Sequence, residues 1–159
     1  MTAYPDTSFL CALYRPQMNS QRAATYVAEM SEPLHVASPL LYEFRQSTRW
    51  QAWLHGKDAT KGFDRVAAQA TLTKLQANIA AGGVVVVPVD WADVASIAER
   101  LSAQYTWTEG YRGFDVLHVA TALHLGASEF LTFDARQKKL AADCAGVMRR
   151  ARCALRLHF

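Results

Sequence analysis

Short strand-like segments alternate with helical segments along the whole chain, and this alternation limits the fold more than any other feature. Residues 84–89 form an apolar run of mostly valine, which is typical of a strand buried on both faces. Residues 114–126 are apolar nearly all round, as expected of a central helix. Further strands are predicted at residues 2–5, 34–37, 129–133 and 152–159. Strands separated by helices predict an α/β fold with a mostly parallel sheet flanked by helices.

Several helix boundaries carry local signals. Thr7 or Ser8 is predicted to cap a first helix, which Pro16 ends. Ser38 and Pro39 have the residue types of a helix N-cap and first helical position. Other helices are predicted at residues 20–30, 60–80, 92–105 and 135–146. Because no repeat or linker interrupts this pattern, we expect one domain over residues 1–159, in which residues 146–159 form an arginine-rich final strand or tail.

The composition is that of a folded, mildly basic protein. Hydrophobic residues make up 51% of the chain and charged residues 19%, which excludes a disordered chain. A net charge of +3 permits an anionic partner such as nucleic acid without demanding one. Three cysteines without metal-type spacing fit a reducing compartment. No segment approaches the roughly 20 apolar residues that span a bilayer. We therefore expect a cytoplasmic protein with no membrane attachment.

Four acidic residues lie where a parallel sheet binds ligands. Asp6 follows the first predicted strand, and Asp134 follows the strand at residues 129–133. Glu43 lies about one turn into the helix after the second strand, and Asp115 lies at the start of the central helix. Ligands of open parallel sheets bind at the carboxyl ends of the strands. We therefore expect the four carboxylates to converge on one cleft.

Each acid also has a purely structural interpretation. Asp6 could cap the first helix, and Asp115 could stabilise a helix N-terminus through the helix dipole. Asp134 could be an ordinary turn residue after a strand. Glu43 lies among apolar neighbours, where an ionised carboxylate needs a partner such as Arg45. These interpretations stay open for each residue taken alone.

The four acids taken together indicate a metal site. Crowded carboxylates raise one another's pKa unless a cation neutralises them. A ligand set made only of oxygen atoms suits Mg²⁺ or Mn²⁺, whereas Zn²⁺ prefers histidine and cysteine. A magnesium ion held by a few carboxylates keeps several waters, and phosphate oxygens can replace these waters.

The segments YPDTSFL, SPLLYEF, GFDVLHVATALHLGASEFLTFD and ARQKKLA together resemble the PIN-domain ribonucleases, in particular the VapC-like toxins of bacterial toxin–antitoxin pairs. The resemblance implies a PIN-like three-layer sandwich and a Mg²⁺-dependent endoribonuclease that hydrolyses RNA phosphodiester bonds. It further implies a homodimer and a small antitoxin protein as partner. It assigns the metal-binding and catalytic roles to four acids, Asp6, Glu43, Asp115 and Asp134, and supporting roles to Ser8 and Thr132.

Other polar and aromatic residues receive weaker interpretations. Arg112, close to Asp115 in the chain, is the basic residue we expect nearest to substrate. His118 lies on a very apolar helix and is interpreted as a packed, hydrogen-bonded core residue. Trp50 and Trp53 are interpreted as part of the core or of a dimer interface. Three loop aromatics are expected to cover a core, and five basic residues form either a phosphate-binding rim or a solvated helix face: Tyr105, Trp107 and Tyr111, and Arg45, Arg49, Lys57, Lys61 and Arg65.

Three other functions remain as alternatives. A PIN nuclease could act in RNA processing without being a toxin, or the fold could be an inactive module that binds RNA or protein. A phosphatase with an aspartate nucleophile would require a second aspartate two residues after the first, and Ser8 occupies that position.

Overall fold

The structure is a computed structural model that describes residues 3–148 and 156–158, with side chains described through Cys144. The chain divides into two compact units. The first unit combines residues 1–9 with residues 87–159, and the second unit comprises residues 10–86.

The helices and strands alternate along the chain. Their bounds are β1 Ala3–Pro5, α1 Thr7–Tyr14, α2 Ser20–Glu29, β2 Leu34–Val36, α3 Ser38–Lys57, α4 Arg65–Ala80, β3 Val84–Val86, α5 Trp91–Leu101, α6 Trp107–Glu109, α7 Gly113–His124, β4 Glu129–Leu131, α8 Ala135–Met148 and β5 Arg156–His158. A π-helical segment, Ser102–Thr106, joins α5 to α6.

The first unit contains a three-stranded parallel sheet in the order β1-β4-β5. Tyr4 of β1 is opposite Phe130 of β4, and both side chains are fully buried. Helix α7 buries seven of its twelve residues, which confirms the predicted central helix. Parallel strands of this kind are covered on both faces, so their carboxyl ends form the accessible edge of the sheet.

The second unit contains a two-stranded parallel sheet formed by β2 and β3. Leu40 and Phe44 of α3 and Leu75 of α4 are fully buried, because helical spacing places each of them on an apolar stripe. The parallel strands and intervening helices confirm the predicted α/β class.

The predicted buried valine strand is wrong in length and in burial. Strand β3 ends at Val86, whose side chain is 41% exposed. It pairs with β2 alone among the described residues. Pro88 follows two residues later and cannot donate a ladder hydrogen bond, so the run cannot continue as a regular strand.

Several predicted helix ends also differ from those in the structure. Asp6 caps α1 through Phe9 N–H, not Thr7 or Ser8. Helix α4 begins at Arg65, because the Asp64 carboxylate accepts a hydrogen bond from Ala67 N–H and thereby caps it. Helix α8 continues past the predicted end at residue 146.

Two further predictions concern the tail and the membrane. Strand β5 runs parallel to β4 within the segment predicted as a final strand or tail. The remaining tail, 149–155 and residue 159, and the side-chain alternation predicted for it lie outside the described residues. None of the helices in the described part of the chain combines the length and apolar character of a membrane span.

Candidate functional site

Asp6 lies directly after β1, at the carboxyl end of the first unit's sheet. Its backbone N–H donates to Leu131 O at 2.9 Å, which ties it to the end of β4. The carboxylate is fully buried and accepts hydrogen bonds from Ser8 Oγ at 2.7 Å, Thr132 Oγ1 at 2.6 Å and Phe9 N–H at 2.9 Å. The capping role and the predicted site role therefore fall on the same side chain.

The environment of Asp6 is unfavourable for a lone negative charge. Burial raises the pKa of Asp6 to about 6 from an ordinary value of 3.8. Hydrogen bonds from Thr132, Ser8 and the Phe9 backbone, together with the nearby His118 ring, oppose this rise in pKa without cancelling it. A positive ion beside the carboxylate would favour its ionised form.

Ser8 and Thr132 join the chain after β1 to the chain after β4. Each hydroxyl donates to Asp6 and accepts a backbone N–H from the β4 side, from Phe133 at 2.8 Å and from Asp134 at 2.9 Å respectively. A hydroxyl that both accepts and donates has a fixed orientation, which in turn holds the carboxylate. This geometry suits the supporting roles predicted for the two residues.

Asp134 sits at the start of α8 as the turn interpretation expects. Its Oδ1 accepts hydrogen bonds from the N–H groups of Arg136 at 2.8 Å and Gln137 at 3.0 Å. Because Thr132 also contacts Asp6, Asp134 is linked to Asp6 through one residue.

Asp115 lies in the first turn of α7 and is only partly buried. Its Oδ2 accepts a hydrogen bond from Arg112 N–H at 3.3 Å, in agreement with the helix-start interpretation. Burial raises the pKa of Asp115; the Arg112 backbone hydrogen bond lowers it, and the negative charge of Asp134 raises it. The two carboxylates therefore interact electrostatically, which is the feature that a divalent cation would relieve.

Gln137 is a site residue that the sequence interpretation missed. Its backbone N–H binds Asp134, and its side-chain Nε2 donates to Asp115 Oδ1 at 3.4 Å. The side chain is nearly fully buried, and its Oε1 has no hydrogen-bond partner within the described residues. The available signal was its place three residues after Asp134, where the first turn of a helix points its side chain back toward the preceding loop.

These contacts form one continuous hydrogen-bonded chain in the first unit, which we call the acid chain. It consists of Asp6, Thr132, Asp134, Gln137 and Asp115. The structure thus brings together three of the four predicted acids. Glu43 belongs to the second unit, in the second turn of α3, and its membership of the site remains a prediction from its motif.

The acid chain fits a hard divalent cation by the chemistry of its donors. Its charged groups are all carboxylates, and oxygen atoms are the ligands that Mg²⁺ and Mn²⁺ prefer. Within residues 3–148 and 156–158, no three Asp, Glu, His or Cys side chains are grouped closely enough to hold an ion by themselves. Magnesium is usually held by only one or two carboxylates and completes its shell with waters, so Asp115 and Asp134 suffice as a starting pair.

His118 and Arg112 occupy the neighbourhood of the acids in different ways. His118 is 1% exposed, and its Nε2 lies 3.2 Å from Thr7 Oγ1, which confirms a packed, hydrogen-bonded core residue. Arg112 is exposed and binds Asp115 through its backbone, while its guanidinium charge lowers the pKa of Asp115. The role of Arg112 toward substrate remains a prediction.

The predictions for the aromatic residues are partly wrong. Trp50 and Trp53 are 50% and 51% exposed, so neither is a core residue of the second unit, and a dimer interface remains the prediction for them. Trp107, in the short helix α6, is 89% exposed, whereas Tyr111 is buried as expected. Helical spacing assigns residues to a common face but does not say whether that face is covered.

The protein belongs to the general class of parallel α/β proteins that carry carboxylates at the carboxyl ends of their strands. Residues 3–143 match the family model of the PIN domain. Because this match covers most of the 159 residues, the chain belongs to the PIN domain family, whose members are generally nucleases. No curated protein matched the sequence.

Three solved structures share the fold at low sequence identity. One is VapC20 of Mycobacterium tuberculosis, a sarcin-ricin loop cleaving toxin, with a TM-score of 0.62, 18% identity, and coverage of 87% of this chain and 94% of that chain. FitAcB from Neisseria gonorrhoeae has a TM-score of 0.62 and 18% sequence identity, and the match covers 97% of this chain and 96% of that chain. VapBC2 from Rickettsia felis, bound to a DNA fragment from the promoter, has a TM-score of 0.59 and 12% sequence identity. The match covers 99% of this chain and 98% of that chain. These similarities support the fold.

Proposed function

We propose that this protein is a Mg²⁺-dependent endoribonuclease whose active site is the acid chain. Asp115 and Asp134 would be the first pair of ligands to the cation, Asp6 would supply the third carboxylate of the site, and Ser8 and Thr132 orient Asp6. Glu43 is included on the strength of its sequence motif alone. The observation that carries the proposal is the buried Asp6 carboxylate, joined by hydrogen bonds through Thr132 to Asp134 and onward to Asp115.

The residues of the acid chain hold their negative charges in a fixed arrangement. Ser8 and Thr132 donate to Asp6 and so keep its oxygens from rotating. Gln137 holds Asp115 from the side of α8. When bound, a divalent ion supplies Lewis acidity for a water nucleophile and compensates the charge of the phosphodiester. The protein needs no nucleophile of its own for this chemistry.

The biological role proposed is that of a toxin restrained by a small antitoxin. Support comes from VapC20, described as a sarcin-ricin loop cleaving toxin, and from the FitAcB and VapBC2 structures, all of similar fold. On this proposal the protein acts in the cytoplasm as a homodimer. A PIN nuclease of RNA processing and an inactive RNA- or protein-binding module are the alternatives.

The activity is tested with purified protein and a fluorescently labelled, unstructured RNA in Mg²⁺ or in EDTA. We expect cleavage in Mg²⁺ only, and a loss of at least about 100-fold in Asp115→Asn, because several kcal/mol of charge stabilisation is removed. Asp143→Asn is the matched control, since Asp143 lies in the same unit and its side chain makes no hydrogen bond within the described residues. Equal cleavage by Asp115→Asn and Asp143→Asn would overturn the assignment of this site.

The toxin role is tested separately by inducible expression in a bacterial host. Wild type is expected to arrest growth, and Asp115→Asn is expected to permit it. An active nuclease that leaves growth unchanged would favour the RNA-processing alternative, and a protein that binds RNA without cleaving it would favour the inactive module.

A further inference from the structure

Helices α3 and α4 of the second unit form an open groove that the acid chain does not explain. Arg45, Arg49 and Trp53 follow one another at four-residue spacing, so they lie along one face of α3. Arg65 and Gln69 of α4 line the opposite side. Two adjoining cavities of about 670 Å³ and about 310 Å³ share Arg49 and Gln69 and form this α3–α4 groove.

The arginines give the groove a positive charge, and the described residues form no ion pairs with them. None of Arg45, Arg49 and Arg65 makes an ion pair with a carboxylate anywhere in the described part of the chain. Helix α4 contains no acidic residue, and α3 contains none after Glu43. Guanidinium groups bind phosphate oxygens through two parallel hydrogen bonds, so three unpaired ones along a groove favour a ligand with several phosphates.

The exposed indole ring of Trp53 lines the same groove. The rings of Trp50 and Trp53 stack with centroids 4.6 Å apart and an angle of 24° between their planes. Lys57 Nζ lies 5.9 Å from the centroid of the Trp53 ring. Half-exposed tryptophans leave a large apolar area in water, which marks interaction sites. Aromatic rings that alternate with cations are the pattern by which proteins bind single-stranded nucleic acid.

A second copy of this chain is another candidate occupant, and the charge of the groove disfavours it. In a two-fold symmetric interface, each surface patch meets the same patch of the partner. Here that would place Arg45, Arg49 and Arg65 near their own copies, with Glu43 of α3 and Asp64 at the N-cap of α4 as the acids of the two facing helices. Facing like charges disfavour such an association.

We propose that the α3–α4 groove binds single-stranded RNA, with its three arginines on phosphates and Trp53 stacked on a base. The choice of RNA rests on the nuclease function proposed above. The positive charge and the exposed indole are independent of that choice, because they require only a polyanion with planar bases.

Binding is measured by fluorescence anisotropy with an unstructured, labelled 12-nucleotide RNA, in EDTA and at several salt concentrations. The full-length Asp115→Asn protein is the background, so that cleavage cannot interfere. We expect the double variant Arg49→Gln/Arg65→Gln to raise Kd at least about fivefold and to lower the slope of log Kd against log salt by about 1.4. Trp53→Leu is expected to raise Kd about 5- to 100-fold. Arg100→Gln and Trp107→Leu, exposed in the first unit, are the matched controls and should leave Kd and slope unchanged.

Each outcome of this measurement decides the matter. Unchanged Kd and slope in the groove variants, or no RNA binding by any of the proteins, would overturn the proposal. Variants that shift the protein from dimer to monomer in sedimentation, with RNA affinity unaltered, would overturn it in favour of a second copy. Circular dichroism excludes unfolding as a cause of weaker binding. RNA binding that depends on the groove, combined with no cleavage by wild type, would refute the nuclease proposal while leaving this one standing.

Discussion

The acid chain of the first unit and the α3–α4 groove of the second unit differ in the burial and the partners of their charged side chains. The acid chain holds its carboxylates partly or fully buried and links them by hydrogen bonds from Ser8, Thr132 and Gln137. The groove leaves its arginines at the surface or half-buried and without acidic partners among the described residues. Buried charge is costly and is arranged for chemistry, whereas unpaired surface charge costs little and is available for binding.

The largest effect is expected in the loop that joins the two helices of the groove. Gly62 has φ of 60°, and a Cβ at this position would collide with the carbonyl oxygen of Gln51 on α3. Gly62→Ala should therefore lower the free energy of unfolding by about 3 to 5 kcal/mol, the sum of left-handed strain and overpacking. Gly82→Ala is the control, since Gly82 also has positive φ but faces open space, and it should cost only about 1 to 2 kcal/mol. Equal losses in urea unfolding would show that α3 and the loop are not packed as described.

The second effect concerns the stability cost of the buried Asp6 carboxylate. Its folded-state pKa of about 6 lies above the ordinary 3.8, so the folded protein binds more protons between these values than the unfolded chain. The free energy of unfolding in EDTA should therefore fall by about 3 kcal/mol as pH rises from 4 through 6. Asp6→Asn should remove this fall and be more stable than wild type at pH 7.5.

The matched control for the pH experiment is Asp58→Asn. Hydrogen bonds from Thr60 lower the pKa of Asp58, so this exposed acid contributes stability above its unfolded pKa and loses it as pH falls. Its substitution should destabilise slightly at neutral pH, the opposite sign to Asp6→Asn. If Asp6→Asn also lowers the free energy of unfolding at pH 7.5, the ionised Asp6 carboxylate does not destabilise the folded protein.

The third effect tests whether Gln137 supports the acids. Gln137→Met keeps the volume of the side chain but removes the Nε2 donor to Asp115. We expect Mg²⁺ affinity to fall about tenfold, because groups that orient metal ligands contribute about this much. Thermal unfolding without metal should change little, since the variant also removes the buried Oε1 that lacks a partner in the described chain. An Mg²⁺ affinity equal to that of wild type would show that Gln137 does not support the metal site.

The smallest effect is expected at Trp107. Its side chain is 89% exposed, so Trp107→Ser should change the free energy of unfolding by less than about 0.5 kcal/mol. A larger loss in urea unfolding would mean that α6 covers part of the core, as the sequence first suggested.

The sequence predicted those features that follow from the carboxyl ends of strands. Asp6 and Asp134 could be placed because each follows a strand, and parallel strands end at one edge of a sheet. Gln137 could not be placed, because its role depends on how α8 leaves that edge and reaches Asp115. The exposure of Trp50 and Trp53 could not be predicted either, because a helical face identifies neighbours without identifying what covers them. The early end of β3 was signalled by Pro88, although the valine run obscured it.

The most direct test of the central claim is calorimetric titration of Mg²⁺ and Mn²⁺ into the full-length, metal-free protein. Wild type and Asp143→Asn are expected to bind the ions saturably, with Asp6→Asn and Asp115→Asn weaker by at least about tenfold. Glu43→Gln should weaken binding to the same degree if its motif assigns it correctly. Equal affinity in wild type, Asp6→Asn and Asp115→Asn would contradict the account, because the acid chain would then hold no metal.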